Sequence, residues 1–186
     1  NANSKLKISK NLTVELVNVT HSTPQTVIVA LHTKYGAIVY CNDFKLDNSP
    51  IVGKKPNYEQ IEKISKEGVK VLIVDSLYSS EESKTPSEKV ARYLLEEIML
   101  TTDNKNAGMV ITTFSSHIAR LKSIVDFSKQ LDRKPIFIGR SLNKYITAAK
   151  KINMCPFEND IILSSYKHQV EGSLTKVAKN KKDYVV

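Results

Sequence analysis

The sequence predicts an α/β protein in which a strand-rich first part is followed by alternating strands and helices. Three β-rich segments lie within the first 43 residues, and no helical pattern separates them. After Pro50, apolar strands alternate with amphipathic helices up to the last residues. This alternation predicts right-handed crossovers and a parallel sheet with flanking helices, joined to a strand-rich edge piece.

The first part is predicted to contain three strands. Residues 12–19 and 26–33 are rich in β-branched side chains, which are typical of strands. A short turn at residues 34–36 leads from the second run to a third at residues 37–41, and Gly36 supplies the positive φ that such a turn favours. We therefore expect a piece of an antiparallel or mixed sheet.

The next elements are predicted from their boundaries. A helix is expected over residues 58–67, ended by Gly68, and a buried parallel strand over residues 69–74. Thr85-Pro86-Ser87-Glu88 predicts a helix start, with Thr85 as the cap and Glu88 completing a capping box. That helix should reach about residue 101 and bury an apolar stripe, namely Val90, Leu94, Leu95, Ile98 and Met99.

The remaining elements repeat the same alternation. Helices are predicted over residues 116–131, 142–152 and 173–179. The strands between and after them are predicted at residues 108–113, 135–138, 161–164 and 184–186.

Charge and cysteine content favour a cytoplasmic protein with a polyanionic partner. The formal net charge is +9, and neutralising phosphates with such cations releases counterions. A lysine-rich surface that only maintains solubility is the alternative. Cys41 and Cys155 are too isolated for a disulfide framework, and no apolar run approaches the roughly 20 residues of a membrane helix.

Polar side chains follow three of the predicted strands. Ligands of an open α/β sheet bind beyond the carboxyl ends of its strands, and free N–H groups of a following helix attract anions. Serine also caps helices in the absence of any ligand, so phosphate binding and plain capping are both open at this point. The residues concerned are Asp75, Ser76, Ser115, Ser116, His117, Arg140 and Ser141.

A histidine and an aspartate follow strands in the first part. His21 comes after the first predicted strand and Asp43 after the hairpin. Imidazole and carboxylate groups suit a divalent metal, but a hydrolytic zinc site uses at least three protein ligands. Taken alone, the two residues are more simply interpreted as ordinary loop residues. His32, within a strand, is predicted to be a packed or surface histidine.

Seven stretches stand in an order and spacing that cover nearly the whole chain. They are Val19-Thr20-His21-Ser22-Thr23-Pro24, Gly36-Ala37-Ile38-Val39, Asn42-Asp43-Phe44-Lys45-Leu46-Asp47, Asp75-Ser76, Thr85-Pro86-Ser87-Glu88, Thr113-Phe114-Ser115-Ser116-His117-Ile118-Ala119-Arg120-Leu121 and Gly139-Arg140-Ser141. As an ordered set they resemble ribonuclease J, of the β-CASP branch of the metallo-β-lactamase superfamily.

The resemblance implies roles for the candidate residues. His21 matches a metal-binding motif, and Asp43 matches the carboxylate that bridges two zinc ions. Asp75 matches the acidic motif that opens the β-CASP domain and helps to orient the metal site. The resemblance thus implies a two-zinc ribonuclease in which a metal-bound hydroxide attacks a phosphodiester of single-stranded RNA. The RNA backbone would then lie near Ser76, Ser115, Ser116, His117, Arg140 and Ser141.

The resemblance also implies a domain division. Residues 1–55 match part of the metallo-β-lactamase domain, and residues 56–186 match most of the β-CASP domain. The HxHxDH motif that supplies most zinc ligands is expected before residue 1, and the late histidine motifs after residue 186. The chain is therefore expected to be an inactive fragment of an enzyme whose full length forms homodimers.

Two other functions are compatible with parts of the sequence. A non-catalytic RNA-binding paralogue with the same fold is favoured by Leu77, Tyr78 and Ala119, which depart from the family pattern. An unrelated Rossmann-like nucleotide-binding protein is disfavoured, because no strand–helix corner carries GxGxxG.

Overall fold

Backbone pairing divides the chain into two sheets. The computed structural model describes residues 1–186. It contains a first unit, Asn1–Ser87, with a five-stranded sheet, and a second unit, Glu88–Val186, with a three-stranded sheet. The α/β class is confirmed, with one α-helix in the first unit and four in the second. The assignment of residues 1–55 and 56–186 to two family domains stays a prediction; the two units meet later, at residues 87 and 88.

The first sheet is antiparallel apart from its last strand. Its strands, in spatial order, are β1 (Ser4–Ser9), β2 (Leu12–Asn18), β3 (Val27–Thr33), β4 (Gly36–Cys41) and β5 (Val69–Val74). Neighbouring strands up to β4 pair antiparallel, and β5 pairs parallel with β4. The three predicted strands are present, while β1 was not predicted. The alternation of apolar and polar residues along β1 is short, and the apolar residues Leu6 and Ile8 are exposed.

The β3–β4 turn depends on glycine. Gly36 has a φ of 119°, and a Cβ atom at this position would lie 2.9 Å from the carbonyl oxygen of Gly68. A side chain would therefore clash with backbone as well as force a rare φ. Gly36 lets β4 begin close to the point where β5 begins.

The first helix, α1 (Tyr58–Glu67), has the predicted bounds. The Asn57 side chain accepts a hydrogen bond from the Gln60 N–H at 3.1 Å, and Gly68 follows the last turn with a φ of 93°. The helix packs Ile64 onto an apolar cluster of the sheet that includes Val17 and Ala30.

Strand β5 is exposed, and the predicted burial is wrong. Its apolar side chains are between 40% and 60% exposed, and they are Val69, Val71, Leu72, Ile73 and Val74. β5 is exposed because it is the last strand of its sheet, with a neighbouring strand, β4, on one side only. An apolar run predicts a strand, but its burial depends on neighbours in space.

The second sheet is parallel. Its strands are β6 (Lys134–Ile138), β7 (Ile162–Ser164) and β8 (Tyr184–Val185), with β6 in the centre. The helices of this unit are α2 (Glu88–Glu96), α3 (Ile118–Gln130), α4 (Arg140–Lys151) and α5 (Lys167–Lys179). One apolar core, with Met99, Phe127 and Val125 among its most buried members, joins these elements. No helix of the chain combines the length and the apolar character needed to cross a membrane.

Three local predictions in the second unit are wrong. Residues 108–113 form only a single parallel bridge, from Met109 to Val185, instead of a strand. Helix α2 starts at Glu88, so Glu88 is its first residue and not the third residue of a capping box. The chain then widens into a π-helical turn, Glu97–Thr101, which changes the phase of the apolar stripe. Met99 is 1% exposed as predicted, and Leu95 is partly buried, whereas Val90, Leu94 and Ile98 are exposed.

A buried carboxylate ties β1, β2, β3 and α1 together. Glu15 is 1% exposed, and its Oε2 lies 2.9 Å from Lys5 Nζ and 2.6 Å from His32 Nε2. Gln60 donates a further hydrogen bond to Glu15, and His32 Nδ1 lies 3.0 Å from Glu67 Oε2. His32 is thus engaged on both ring nitrogens in a structural cluster, as expected for a packed histidine.

The Glu15 cluster predicts an acid-dependent stability. Burial opposes ionisation, but the hydrogen bonds from Lys5, Gln60 and His32 outweigh it and hold the pKa of Glu15 below its ordinary value of 4.5. A lowered pKa stabilises the fold above that value, and the stabilisation is lost as the pH falls below it. We expect Glu15→Gln to flatten the loss of unfolding free energy between neutral pH and about pH 3, measured by urea denaturation. Equal pH slopes for the variant and the wild-type chain would contradict this assignment.

Candidate metal and phosphate sites

The predicted metal-site residues follow one row of paired residues in the first sheet. Val17 pairs with Ile28, Ile28 with Cys41, and Cys41 with Val74. Strands β2, β4 and β5 run in the same direction, so their carboxyl ends meet at one edge of the sheet. His21 follows this row by four residues, Asp43 by two and Asp75 by one. The sheet therefore brings all three residues to the same edge.

A backbone bridge joins the segments that carry His21 and Asp43. Thr20 and Lys45 pair antiparallel, with N···O distances of 3.2 Å and 2.7 Å between their backbones. The hydroxyl of Thr20 also donates to the Lys45 carbonyl and accepts the Asp47 N–H at 3.0 Å. The two segments are thus held together beyond the carboxyl ends of β2 and β4, next to the start of β3.

Asp47 is buried and stabilises the segment that carries Asp43. It is 5% exposed, and its carboxylate accepts hydrogen bonds from the Ser49 N–H at 2.8 Å and the Ser87 hydroxyl at 2.6 Å. The Lys45 Nζ atom lies 3.9 Å from the same carboxylate. Asp47 lies four residues after Asp43 in the sequence, and no local pattern indicates that Asp47 is buried and structural while Asp43 is exposed.

The side chains at this edge have the donor chemistry that zinc requires. His21 and Asp43 are exposed, and His21 Nδ1 lies 3.3 Å from Ser22 Oγ. Imidazole nitrogen and carboxylate oxygen are ordinary zinc ligands. The chain contains no group of three or more His, Cys, Asp or Glu residues that could hold a metal ion. The residue types fit zinc, and the assignment of His21 and Asp43 as its ligands stays a prediction.

Asp75 and Ser76 form a tight turn directly after β5. Asp75 Oδ1 accepts the Leu77 N–H at 3.3 Å, and the Ser76 carbonyl accepts the Ser79 N–H at 3.1 Å. Both side chains are exposed. The turn orients the Asp75 carboxylate at the same edge as Asp43. Its role in orienting a metal site stays a prediction.

The corner between β6 and α4 presents Arg140 and Ser141. Gly139 joins the two elements with a φ of 145°, a conformation that favours glycine. Its N–H donates to the Ser164 carbonyl at 3.0 Å, which ties this corner to the end of β7. No side chain caps α4, and Arg140 and Ser141 are both exposed. First-turn N–H groups beside a guanidinium can hold a phosphate.

The corner before α3 is organised around a carboxylate. Helix α3 begins at Ile118, two residues later than predicted, and Ser115 and Ser116 lie in the preceding turn. His117 Nε2 lies 3.3 Å from Glu88 Oε2, and Arg120 donates to both oxygens of Glu88 at 2.7 Å and 2.9 Å. These hydrogen bonds raise the pKa of Arg120 above its ordinary value. A phosphate at His117 would have to approach a buried carboxylate, so its predicted role stays untested.

Phosphate binding at the two corners predicts local NMR shifts. A nucleoside monophosphate should shift the amide resonances of Arg140 and Ser141. Smaller shifts are expected at Ser115, Ser116 and His117, because Glu88 already engages His117 and Arg120 at that corner, whereas Arg140 is exposed. The matching nucleoside without phosphate is the control ligand, and Arg140→Gln should reduce the shifts. Equal shifts with both ligands, or none at millimolar monophosphate, would leave these residues as plain helix-start residues.

An exposed aromatic pair next to the α4 corner was not predicted. Tyr166 lies two residues after β7 and is 61% exposed, and its ring stacks on that of His168. The only sequence signal was an aromatic residue between a strand and a helix, which is too common to single out.

Comparison with known proteins identifies the relatives of the chain. Residues 106–178 match the family model described as "Ribonuclease J, beta-CASP domain". The chain is 40% identical to ribonuclease J of Methanocaldococcus jannaschii over 183 residues, which are 98% of the chain and 41% of that protein. It is 41% identical to ribonuclease J of Pyrococcus abyssi, over 97% of the chain and 40% of that protein. It is also 31% identical to ribonuclease J 2 of Staphylococcus aureus, over 87% of the chain and 28% of that protein.

A solved structure shares the fold. The chain is similar over its whole length to a crystal structure of a protein of unknown function from Enterococcus faecalis, with a TM-score of 0.55 and 13% sequence identity. The match covers 54% of that protein.

The chain spans about 41% of the length of the first ribonuclease J relative. The chain is therefore similar to ribonuclease J along nearly its whole length, and residues 106–178 match the β-CASP domain of that family.

Proposed function

We propose that this chain forms part of a zinc-dependent ribonuclease that hydrolyses RNA phosphodiesters with metal-activated water. The observation that carries the proposal is the convergence of His21, Asp43 and Asp75 at one sheet edge, in a chain that aligns with proteins named ribonuclease J. The three residues thus occur in the order that the resemblance to ribonuclease J implies, and they lie at the same edge of the sheet.

Each residue has a role that its chemistry allows. His21 and Asp43 are the side chains that would hold zinc, which supplies an activated water and neutralises charge on the phosphate. The Asp75 carboxylate, at the same edge of the sheet, would help to orient the metal site. Arg140 and the exposed N–H groups of the α4 corner hold the RNA backbone. We further propose that the 186 residues alone lack hydrolytic activity, because they bring only two zinc ligands.

The partner that we propose is single-stranded RNA. The basic charge is concentrated in the second unit, which holds 17 of the 28 Lys and Arg residues against 10 acidic residues. Cys41 and Cys155 are buried free thiols, and burial raises the pKa of Cys41, which suits a cytoplasmic protein. A homodimer of a longer protein is part of the same proposal.

A non-catalytic RNA-binding paralogue is the second candidate. It is favoured by Leu77 and Tyr78, which are 73% and 65% exposed directly after Asp75. Large exposed side chains beside a metal site contribute no metal chemistry, but they can contact RNA. This function keeps the RNA-binding proposal and removes the hydrolytic one.

An RNA assay with the chain itself tests the proposal. Labelled single-stranded RNA should be bound in a salt-dependent manner and should stay intact in the presence of Zn²⁺ or Mn²⁺. Binding is expected from the basic second unit, and intact RNA from the incomplete ligand set. Chelator-sensitive cleavage would contradict the inactivity of the chain, and salt-independent or absent binding would contradict the RNA-binding role.

A further inference from the structure

An exposed aromatic pair stands at the start of α5. The ring centroids of Tyr166 and His168 are 6.3 Å apart, and the ring planes are inclined by 8°. Tyr166 is 61% exposed and His168 is exposed. A stacked pair in this position contributes nothing to the apolar core of the second unit. It presents a flat ring face to solvent.

The backbone that carries Tyr166 is fixed by one side chain. Gln169 Oε1 accepts hydrogen bonds from the Ser165 and Tyr166 N–H groups, at 3.1 Å and 3.2 Å. The Tyr166 carbonyl in turn accepts the Val170 N–H at 3.0 Å. The turn is therefore organised before any ligand arrives, which lowers the entropic cost of stacking on its ring.

Tyr166 and Arg140 follow neighbouring parallel strands. Ile138, the last residue of β6, pairs with Ser164, the last residue of β7. Adjacent strands are about 5 Å apart, and Arg140 and Tyr166 each lie two residues beyond this pair. Arg140 and Tyr166 thus follow the same end of two neighbouring strands, where the Gly139 N–H also donates to the Ser164 carbonyl at 3.0 Å.

A cation beside an exposed ring fits a nucleotide with an unpaired base. Bases stack on aromatic side chains with little dependence on sequence, while Arg or Lys contacts the phosphate. A second exposed ring occurs at the same edge, since Phe114 is 81% exposed and follows the Met109 segment that pairs with β8. Double-stranded RNA offers no free base face and would not use these rings.

We propose that Tyr166 and His168 form a stacking platform for one unpaired base of single-stranded RNA, next to a backbone phosphate held by Arg140. This inference rests on the proposed RNA-binding function and adds to it a residue pair and a nucleotide position. The platform contributes to RNA affinity and has no part in the hydrolytic step.

Two ligands separate stacking from phosphate binding. The full chain is titrated with a labelled single-stranded oligouridylate of roughly 8 nucleotides, within the range that such sites accommodate, and with an abasic oligonucleotide of equal length. Tyr166→Ala should weaken oligouridylate binding by about 5- to 150-fold, the equivalent of one stacked base, and should leave abasic binding unchanged. Tyr166→Phe retains the ring and should bind like the wild-type chain.

A matched control is Tyr93→Ala, which removes another exposed tyrosine, 57% exposed on α2. Its affinity for both ligands should equal that of the wild-type chain. In the wild-type chain, the oligouridylate should also shift the ring-proton resonances of Tyr166, and the abasic ligand should not. This measurement keeps the test valid if the alanine variant folds poorly.

The possible failures are distinguishable. If the wild-type chain binds neither ligand, the RNA-binding function is overturned and this inference with it. If it binds both ligands but Tyr166→Ala binds oligouridylate as tightly as Tyr93→Ala, the stacking platform alone is overturned. Equal loss of both ligands in Tyr166→Ala would also overturn it, because the ring would then act on the phosphate corner and not on the base.

Discussion

Replacing Asp43 by alanine should abolish RNA cleavage in a protein that carries these 186 residues together with the further segments of its relatives. A carboxylate that holds zinc supports both water activation and charge neutralisation, each worth several kcal/mol. We expect a loss on the order of 10³-fold or more in kcat/KM, because each 1.36 kcal/mol corresponds to a factor of ten. Asp43 is exposed, so its removal should cost little folding stability.

The control for Asp43→Ala is Glu62→Ala, which removes an exposed carboxylate of α1 that pairs only with Lys66. Its cleavage rate should equal that of the unmodified protein. Bound zinc, measured by elemental analysis, should fall in Asp43→Ala and stay constant in Glu62→Ala. Undiminished cleavage and zinc content in Asp43→Ala would remove Asp43 from the metal site.

Replacing Glu88 by alanine should strongly destabilise the second unit. Its carboxylate is 7% exposed and binds Arg120 through both oxygens, with His117 Nε2 at 3.3 Å. Removal of one partner of a buried ion pair typically costs 3–5 kcal/mol. Because the Arg120 side chain is 31% exposed and can regain water, we expect about 2–3 kcal/mol.

Urea unfolding followed through the amide resonances of α3 measures this loss. The control is Glu171→Ala on α5, which removes an exposed carboxylate 3.9 Å from Lys167 and should change the unfolding free energy by less than about 0.5 kcal/mol. Glu88→Gln, which keeps one acceptor, should lie between the two. Similar stabilities for Glu88→Ala and Glu171→Ala would show that the Glu88–Arg120 pair contributes no stability.

Local signals allowed some elements to be predicted to the residue. The bounds of α1 were predicted from a helical pattern ended by Gly68, and the structure adds a cap at Asn57. The β3–β4 hairpin follows in the same way from its turn at Gly36. In each case the residues that set the structure are close together in sequence.

Predictions that depended on neighbours in space were less successful. Burial of β5 required knowing that it ends its sheet, and the α2 stripe required knowing that a π-helical turn follows Glu96. The same reason limits the prediction of the site. His21 and Asp43 were predicted as candidate residues, but no local pattern indicates the bridge between Thr20 and Lys45 that holds their segments together.

The exposure of β5 has a consequence for the behaviour of the isolated chain in solution. Its outer edge carries unpaired backbone groups beside apolar side chains, and Lys70 is the only charged residue among its six. Natural sheets protect such edges with charges, proline or bulges, because an open edge serves as a template for pairing between molecules. Colloidal stability of the isolated chain should therefore be limited by this strand. Leu72 is 60% exposed, and Leu72→Lys would give β5 a second lysine. This is the substitution that most directly improves the solubility of the chain without touching either candidate site.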